Sequence, residues 1–171
     1  MTIPTQGEQT LFDFSNPETI AQWYAHDDTV MGGVSGSQLQ GTEQRTAFFV
    51  GAVSLDNNGG FAAVRSRPST YDLHNFAGIE LRFKGDGKRY SLNIRNDSGV
   101  NGLRYQASFD AQAGVWTTVQ LPFHAFVATR RGKTPPNSPP LDLERISSFG
   151  LIIANKQAEP FRLELAWMKA Y

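Results

Sequence analysis

Apolar and polar side chains alternate along much of this chain. In residues 79–84, Ile79, Leu81 and Phe83 fall on one side and Glu80, Arg82 and Lys84 on the other. That is the period of two expected of a strand with one buried face. The same pattern sets Tyr90, Leu92 and Ile94 against Ser91, Asn93 and Arg95. It also sets Leu103, Tyr105, Ala107 and Phe109 against Arg104, Gln106 and Ser108. Taken as neighbours, these three strands give a sheet with an apolar inner face. Its outer face would carry Arg82, Lys84, Asn93, Arg95, Arg104 and Gln106, with Arg65 joining from 61–66. Such a face is either simply solvated, as in many antiparallel sheets, or a recognition surface built from planar hydrogen-bonding side chains.

The remaining pattern is short apolar runs separated by Gly, Asn, Asp and Pro. Strands are predicted at 10–14, 36–42, 45–54, 61–66, 78–84, 89–95, 103–109, 115–121, 148–153 and 161–170, a spacing that indicates a sandwich or barrel. Asn57-Asn58-Gly59-Gly60 and Gly85-Asp86-Gly87 supply residues that tolerate the positive φ of tight hairpins. Helix is scarce. Asn16 as N-cap, Pro17 at the first helical position and Glu18 in the first turn predict a helix over 17–23. Asp142-Leu143-Glu144-Arg145 predicts one further turn. The run Thr134-Pro135-Pro136-Asn137-Ser138-Pro139-Pro140 lacks the donors a sheet interior needs and reads as an exposed polyproline-like loop.

Composition narrows the function classes. The 171 residues suit one domain, predicted over 10–171 behind a flexible segment at 1–9. A 40% hydrophobic and 12% aromatic content is enough for a core. Sixteen basic and sixteen acidic residues balance, which argues against general nucleic-acid binding. Without cysteine there is no disulfide framework, thiolate metal site or cysteine nucleophile. No apolar run approaches the ~20 residues of a membrane helix, so a soluble, cytoplasmic protein is expected, peripheral at most to membrane complexes.

The densest chemistry lies in His26-Asp27-Asp28-Thr29-Val30-Met31-Gly32-Gly33-Val34-Ser35-Gly36-Ser37. A nucleophile elbow, Gly-x-Ser-x-Gly between strand and helix, fails because Ser37 stands where the last glycine belongs and a strand follows. The three adjacent residues His26, Asp27 and Asp28 do not suit one ion, and no second histidine stands at metal-binding spacing, so no metal and no cofactor is expected. Neither Met31-Gly32-Gly33 nor Gly85-Asp86-Gly87 completes a phosphate loop. The segment reads first as a structural loop in which Gly32 and Gly33 bend the backbone and Asp28 or Ser35 bonds local N–H groups. Trp116 falls opposite Val115, Thr117, Val119 and Leu121 and could face outward, where a sheet-face aromatic serves RNA or sugar binding.

Several stretches in fixed order carry a resemblance: Asp28-Thr29-Val30-Met31-Gly32-Gly33-Val34-Ser35, Asn58-Gly59-Gly60-Phe61 and Lys84-Gly85-Asp86-Gly87-Lys88-Arg89-Tyr90, with Leu11-Phe12-Asp13-Phe14 before them and Arg131-Gly132 and Phe149-Gly150-Leu151 after. Over about residues 10–170 the chain resembles the complex I intermediate-associated protein family. The resemblance implies an all-β jelly-roll sandwich of the galactose-binding-like type, with one or two short helices, similar to some carbohydrate-binding modules. It implies a non-catalytic assembly factor or chaperone whose partners are protein subunits or intermediates of a respiratory or photosynthetic membrane complex. Arg65, Arg82, Asn93, Arg95 and Gln106 are the expected binding face. Asp28, Met31, Gly32, Gly33, Ser35, Asn58, Gly59, Gly60, Asp86, Tyr90 and Arg131 are expected binding or structural loop positions, and Lys133 could join Arg131 beside the proline loop. The competing expectations are a carbohydrate-binding module and, behind it, a hydrolase using Ser35 with His26 and Asp28.

Overall fold

The computed structural model describes residues 7–25, 36–54, 60–96, 103–130, 133–154, 157 and 159–171. They form two antiparallel sheets packed face to face, a jelly-roll β-sandwich. The strands are β1 (Gln9–Asp13), β2 (Trp23–Ala25), β3 (Gly36–Gly41), β4 (Ala47–Val53), β5 (Ala62–Ser66), β6 (Gly78–Lys84), β7 (Arg89–Arg95), β8 (Arg104–Asp110), β9 (Trp116–Pro122), β10 (Val127–Thr129), β11 (Ser148–Ile153) and β12 (Glu159–Ala170). One helix, α1 (Pro17–Ala21), starts where Asn16 accepts a hydrogen bond from the Glu18 N–H at 2.9 Å. It is shorter than the sequence predicts, because β2 already begins at Trp23.

The first sheet runs β3-β4-β12-β6-β9, with β1 also paired to β12. β12 organises it: β4 pairs with 159–165, β1 with 167–170 and β6 with 164–170. A register shift between Leu165 and Trp167 changes the parity of β12. Phe161, Leu163 and Leu165 face inward before it, Met168 and Ala170 after it. Twelve residues can therefore keep one side in the core while the sheet twists. The second sheet runs β10-β8-β7-β11-β5-β2.

Between the sheets lies an aromatic core. Phe12 meets Trp23 edge-on at 5.0 Å and Phe149 at 5.7 Å; Phe49 meets Phe161 at 4.8 Å. Phe83 and Phe109, from opposite sheets, lie 4.9 Å apart. Such pairs add directional contact to the ~1.5–3 kcal/mol that each buried ring contributes through the hydrophobic effect.

The stretch Gly85-Asp86-Gly87 does not close a hairpin between two neighbours in one sheet. It carries the chain from β6 in the first sheet to β7 in the second. Gly85 packs on the backbone of Ala111, where an added Cβ would stand 2.2 Å from the carbonyl oxygen, and Gly87 has φ of +89°. This corner separates residues that alternation alone had grouped. Alternation reports which face of a strand a side chain takes, not which strands are partners. β6 pairs with β9 and β12, whereas β7 pairs with β8 and β11. Arg82 and Lys84 therefore lie on a different sheet from Asn93, Arg95, Arg104 and Gln106.

Candidate functional site

The second sheet brings the rest of the expected face together. In β5, Ala62 and Val64 fill the core, so Ala63 and Arg65 point outward. In β7 the inward set is Tyr90, Leu92 and Ile94; Ser91, Asn93 and Arg95 point out. In β11, Phe149, Leu151 and Ile153 turn in, leaving Ser148, Gly150 and Ile152 outside. The strand register aligns one outward row across all six strands: Tyr24, Arg65, Gly150, Asn93, Gln106 and Val127. Arg95 lies opposite Ser148, and Arg104 opposite Thr129, at one side of the row; Ser91 and Ser108 flank the other.

This face is not the freely solvated surface that alternating polar residues suggest. Arg65, Asn93 and Arg95 are 8%, 6% and 8% exposed, and Ser148 is fully buried. The Arg65 Nε–H donates to Ser148 Oγ at 3.3 Å, but its Nη2 has no acceptor, and Asn93 Oδ1 has no donor. Elsewhere on the face the polar groups bond one another. Gln106 Nε2 donates to Ser91 Oγ at 3.2 Å, and the Ser91 and Ser108 hydroxyls share a bond of 2.8 Å. The Arg104 Nε–H reaches Gln106 Oε1 at 3.5 Å, and burial lowers the pKa of its guanidinium from the ordinary arginine value. This row thus holds one buried donor and one buried acceptor without a partner.

The other expected residues sit elsewhere. Arg82 is on the outer face of the first sheet, donating to Thr118 Oγ1 at 3.0 Å with its guanidinium 5.4 Å from the Trp116 ring centre. Trp116 does face outward, as its position in β9 suggested. Asp86 anchors the inter-sheet corner: it accepts from the Tyr90 hydroxyl at 2.9 Å, the Arg162 N–H at 2.8 Å and the Lys88 N–H at 3.2 Å. Tyr90 is 1% exposed. Burial first, and then the Asp86 carboxylate, hold its hydroxyl far above the ordinary tyrosine pKa, so it remains a donor. Gly60 has φ of +141° and is half-buried. Lys133 is exposed and closes a small backbone bridge with Arg130. Asp28, Met31, Gly32, Gly33, Ser35, Asn58, Gly59 and Arg131 lie outside the described residues, as does the His26, Asp28 and Ser35 set of the hydrolase reading. Among the described residues, no three His, Asp or Glu side chains gather as metal ligands.

Sequence reasoning missed Tyr24, Ser148 and Gly150. Tyr24 directly follows the predicted helix 17–23, which takes Trp23 out of a strand of three residues. Ser148 and Gly150 lie in an apolar strand whose small residues occupy every other position, a signal that could have placed them on the outer face.

A family model described as complex I intermediate-associated protein 30 matches residues 12–165. The chain is 26% identical over 95% of its length to the mitochondrial complex I intermediate-associated protein 30 of Mus musculus, and 23% identical over 92% to that of Drosophila melanogaster. It spans 56% and 61% of those two proteins. Among solved structures, a family 11 carbohydrate-binding module of a Clostridium thermocellum cellulase superposes with a TM-score of 0.72 at 19% identity, covering 96% of this chain and 94% of the module. At that identity the likeness is one of fold.

Proposed function

The chain belongs to the complex I intermediate-associated protein 30 family, and on that premise we propose that it is a non-catalytic binding module assisting the biogenesis of a respiratory, NADH dehydrogenase-type membrane complex. It would do so by holding a protein subunit or assembly intermediate on the outer face of the second sheet. The observation that carries this reading is the buried outward row with Arg65, Asn93 and Gln106, beside Arg95 and Arg104. Arginine forks donate to carbonyl or carboxylate oxygens at ~1.5–3 kcal/mol per charge-assisted bond, and a partner engaging several of them gains a fixed orientation as well as affinity. Among the described residues, no helix is long and apolar enough to cross a membrane.

The test is affinity purification of the full chain from detergent-solubilised membranes. Wild type should enrich named subunits of the NADH dehydrogenase-type complex. Arg65→Ala/Arg95→Ala should lose them while still folding, as checked by circular dichroism, and Arg82→Ala, on the other sheet, should keep them. Equal recovery by the double variant removes this face as the site; enrichment of photosynthetic subunits instead would reassign the complex.

A saccharide on the same face is the second reading, favoured by arginine and amide side chains that suit hydroxyls. It stands behind the first because, within the row itself, the one aromatic is Tyr24, at one end. A chain of sugars held along the row would lack rings to stack on through its middle.

A further inference from the structure

We infer that β9 pairs edge to edge with β9 of a second copy of this chain, antiparallel about a two-fold axis at Thr118, so that the first sheets of two molecules run on as one. The site lies on the other sheet from the proposed partner face and stands apart from the assembly reading.

A strand at the end of a sheet turns a row of N–H and C=O groups to solvent, and folds shorten, interrupt, charge or cover such rows. Most edges here are managed in that way. β2 and β10, which end the second sheet, have three residues each. β1 is interrupted by a register shift between Thr10 and Phe12 and ends on the charged Asp13. β3 lies against α1, where Ile20 Cδ1 comes up to Gly41. β9 has none of these devices along most of its length. It ends the first sheet with seven residues, Trp116-Thr117-Thr118-Val119-Gln120-Leu121-Pro122, paired to β6 in an unbroken register and without one charged side chain.

The ladder fixes which groups of β9 are free. Gly78 of β6 exchanges backbone bonds of 3.3 and 3.1 Å with Tyr171, on the side of β12. Successive residues of an antiparallel strand bond to alternate sides, so Ile79, Leu81 and Phe83 bond β9. Their register partners Leu121, Val119 and Thr117 are thereby satisfied. Trp116, Thr118 and Gln120 turn their N–H and C=O groups outward along the edge, and among the described residues no other backbone group bonds them. Pro122, next on that side, has no N–H and stops the edge there.

The three open positions are symmetric about Thr118, which is why the occupant is a second copy. Laid antiparallel across that axis, Thr118 meets Thr118 and Trp116 meets Gln120 on each side of it. Each such pair exchanges two backbone bonds, about six in all. On the inner side Val119 falls opposite Thr117, a pair of β-branched residues, and Thr118 makes a Thr–Thr pair on the outer side; both kinds of cross-strand pair are favourable. A charged residue in this strand would oppose or closely approach its own copy, and β9 carries none. Val115, just before the strand, is 41% exposed although it is apolar. The same register sets it beside Leu121 of the second copy. The chain as a whole has sixteen basic and sixteen acidic residues, so no net charge holds two copies apart.

The experiment is sedimentation velocity on the full chain over a concentration series reaching the millimolar range. Wild type should pass from monomer to dimer and stop there. Thr118→Pro deletes an edge N–H that bonds nothing within the fold, at the kind of position where strands accept proline. Its dimer Kd should rise about tenfold or more, as the loss of edge hydrogen bonds requires, with circular dichroism showing the same fold. A second measurement reads the register, because the chain has no cysteine of its own. Separately purified Thr117→Cys and Val119→Cys copies, mixed and oxidised, should give far more disulfide-linked dimer than either alone, since residues 117 and 119 face each other across the axis and like residues do not. Should Thr118→Pro fold poorly, the cysteine mixture decides. A wild type that stays monomeric throughout overturns the inference. So does a dimer that Thr118→Pro leaves intact, or cross-linking that is equal in the mixture and in the single variants.

Discussion

Replacing Asp86 by Ala should be among the most damaging polar substitutions in the chain, although the residue lies on a loop. Its carboxylate holds three donors from three places: the Tyr90 hydroxyl in β7, the Arg162 N–H in β12 and the Lys88 N–H of its own corner. The alanine leaves the Tyr90 hydroxyl without that acceptor in a residue 1% exposed, a loss of ~1–3 kcal/mol. The two backbone bonds add ~0.5–1.5 kcal/mol each, reduced where water replaces the carboxylate. We expect a total near ~3 kcal/mol, which at a urea slope of ~2 kcal/mol/M lowers the unfolding midpoint by ~1.5 M. Tyr90→Phe removes the donor as well as its need, so the double variant should be less destabilised than the sum of the two singles by ~1 kcal/mol. A midpoint shift under ~0.3 M for Asp86→Ala, or strict additivity in the cycle, would refute the reasoning. The first would mean that the corner is held by its glycines alone.

Three further outcomes follow from the same packing. Gly85→Ala should sharply reduce soluble yield, because its Cβ would stand 2.2 Å from the Ala111 carbonyl oxygen; recovery of folded protein at wild-type yield would contradict that packing. Phe49→Ala, at a fully buried ring between Tyr90 and Phe161, should cost ~3–5 kcal/mol in urea unfolding, and a loss under ~1 kcal/mol would place Phe49 outside the core. The His74 pKa is raised, chiefly by its hydrogen bond to Asp72, so its imidazole should titrate by NMR above the ordinary histidine value. A group raised on folding stabilises the protein fully below its unfolded pKa and loses that contribution as pH rises through the folded one. Asp72→Asn should bring the titration down toward the ordinary value.

Strand positions were legible because one face of each long strand is buried, and burial imposes a period of two that survives in sequence. The short strands were not. Trp23–Ala25 holds too few residues to show a period, and its capped neighbour α1 claimed Trp23 for a helix; Val127–Thr129 follows a 3-10 turn and shows no alternation of its own. Sheet membership was legible only in part. The alternation that correctly turned Arg65, Asn93, Arg95 and Gln106 outward also turned Arg82 outward, but on the other sheet, and nothing local distinguishes the two. The corner at Gly85-Asp86-Gly87 carries hairpin residues because both structures need positive φ and close approach, so composition could not separate them. The unpaired atoms of Arg65 and Asn93 arise from three-dimensional neighbours and leave no trace in sequence.

The most direct test of the account is made in the organism that encodes the chain. Its gene is deleted, then restored as wild type, Arg65→Ala/Arg95→Ala or Arg82→Ala, and the NADH dehydrogenase-type complex is resolved by native electrophoresis with an in-gel activity stain. The account predicts accumulating subcomplexes in the deletion strain, full rescue by wild type and Arg82→Ala, and no rescue by the double variant despite equal protein levels. Fully assembled complex in the deletion strain, or equal rescue by all three, would contradict it.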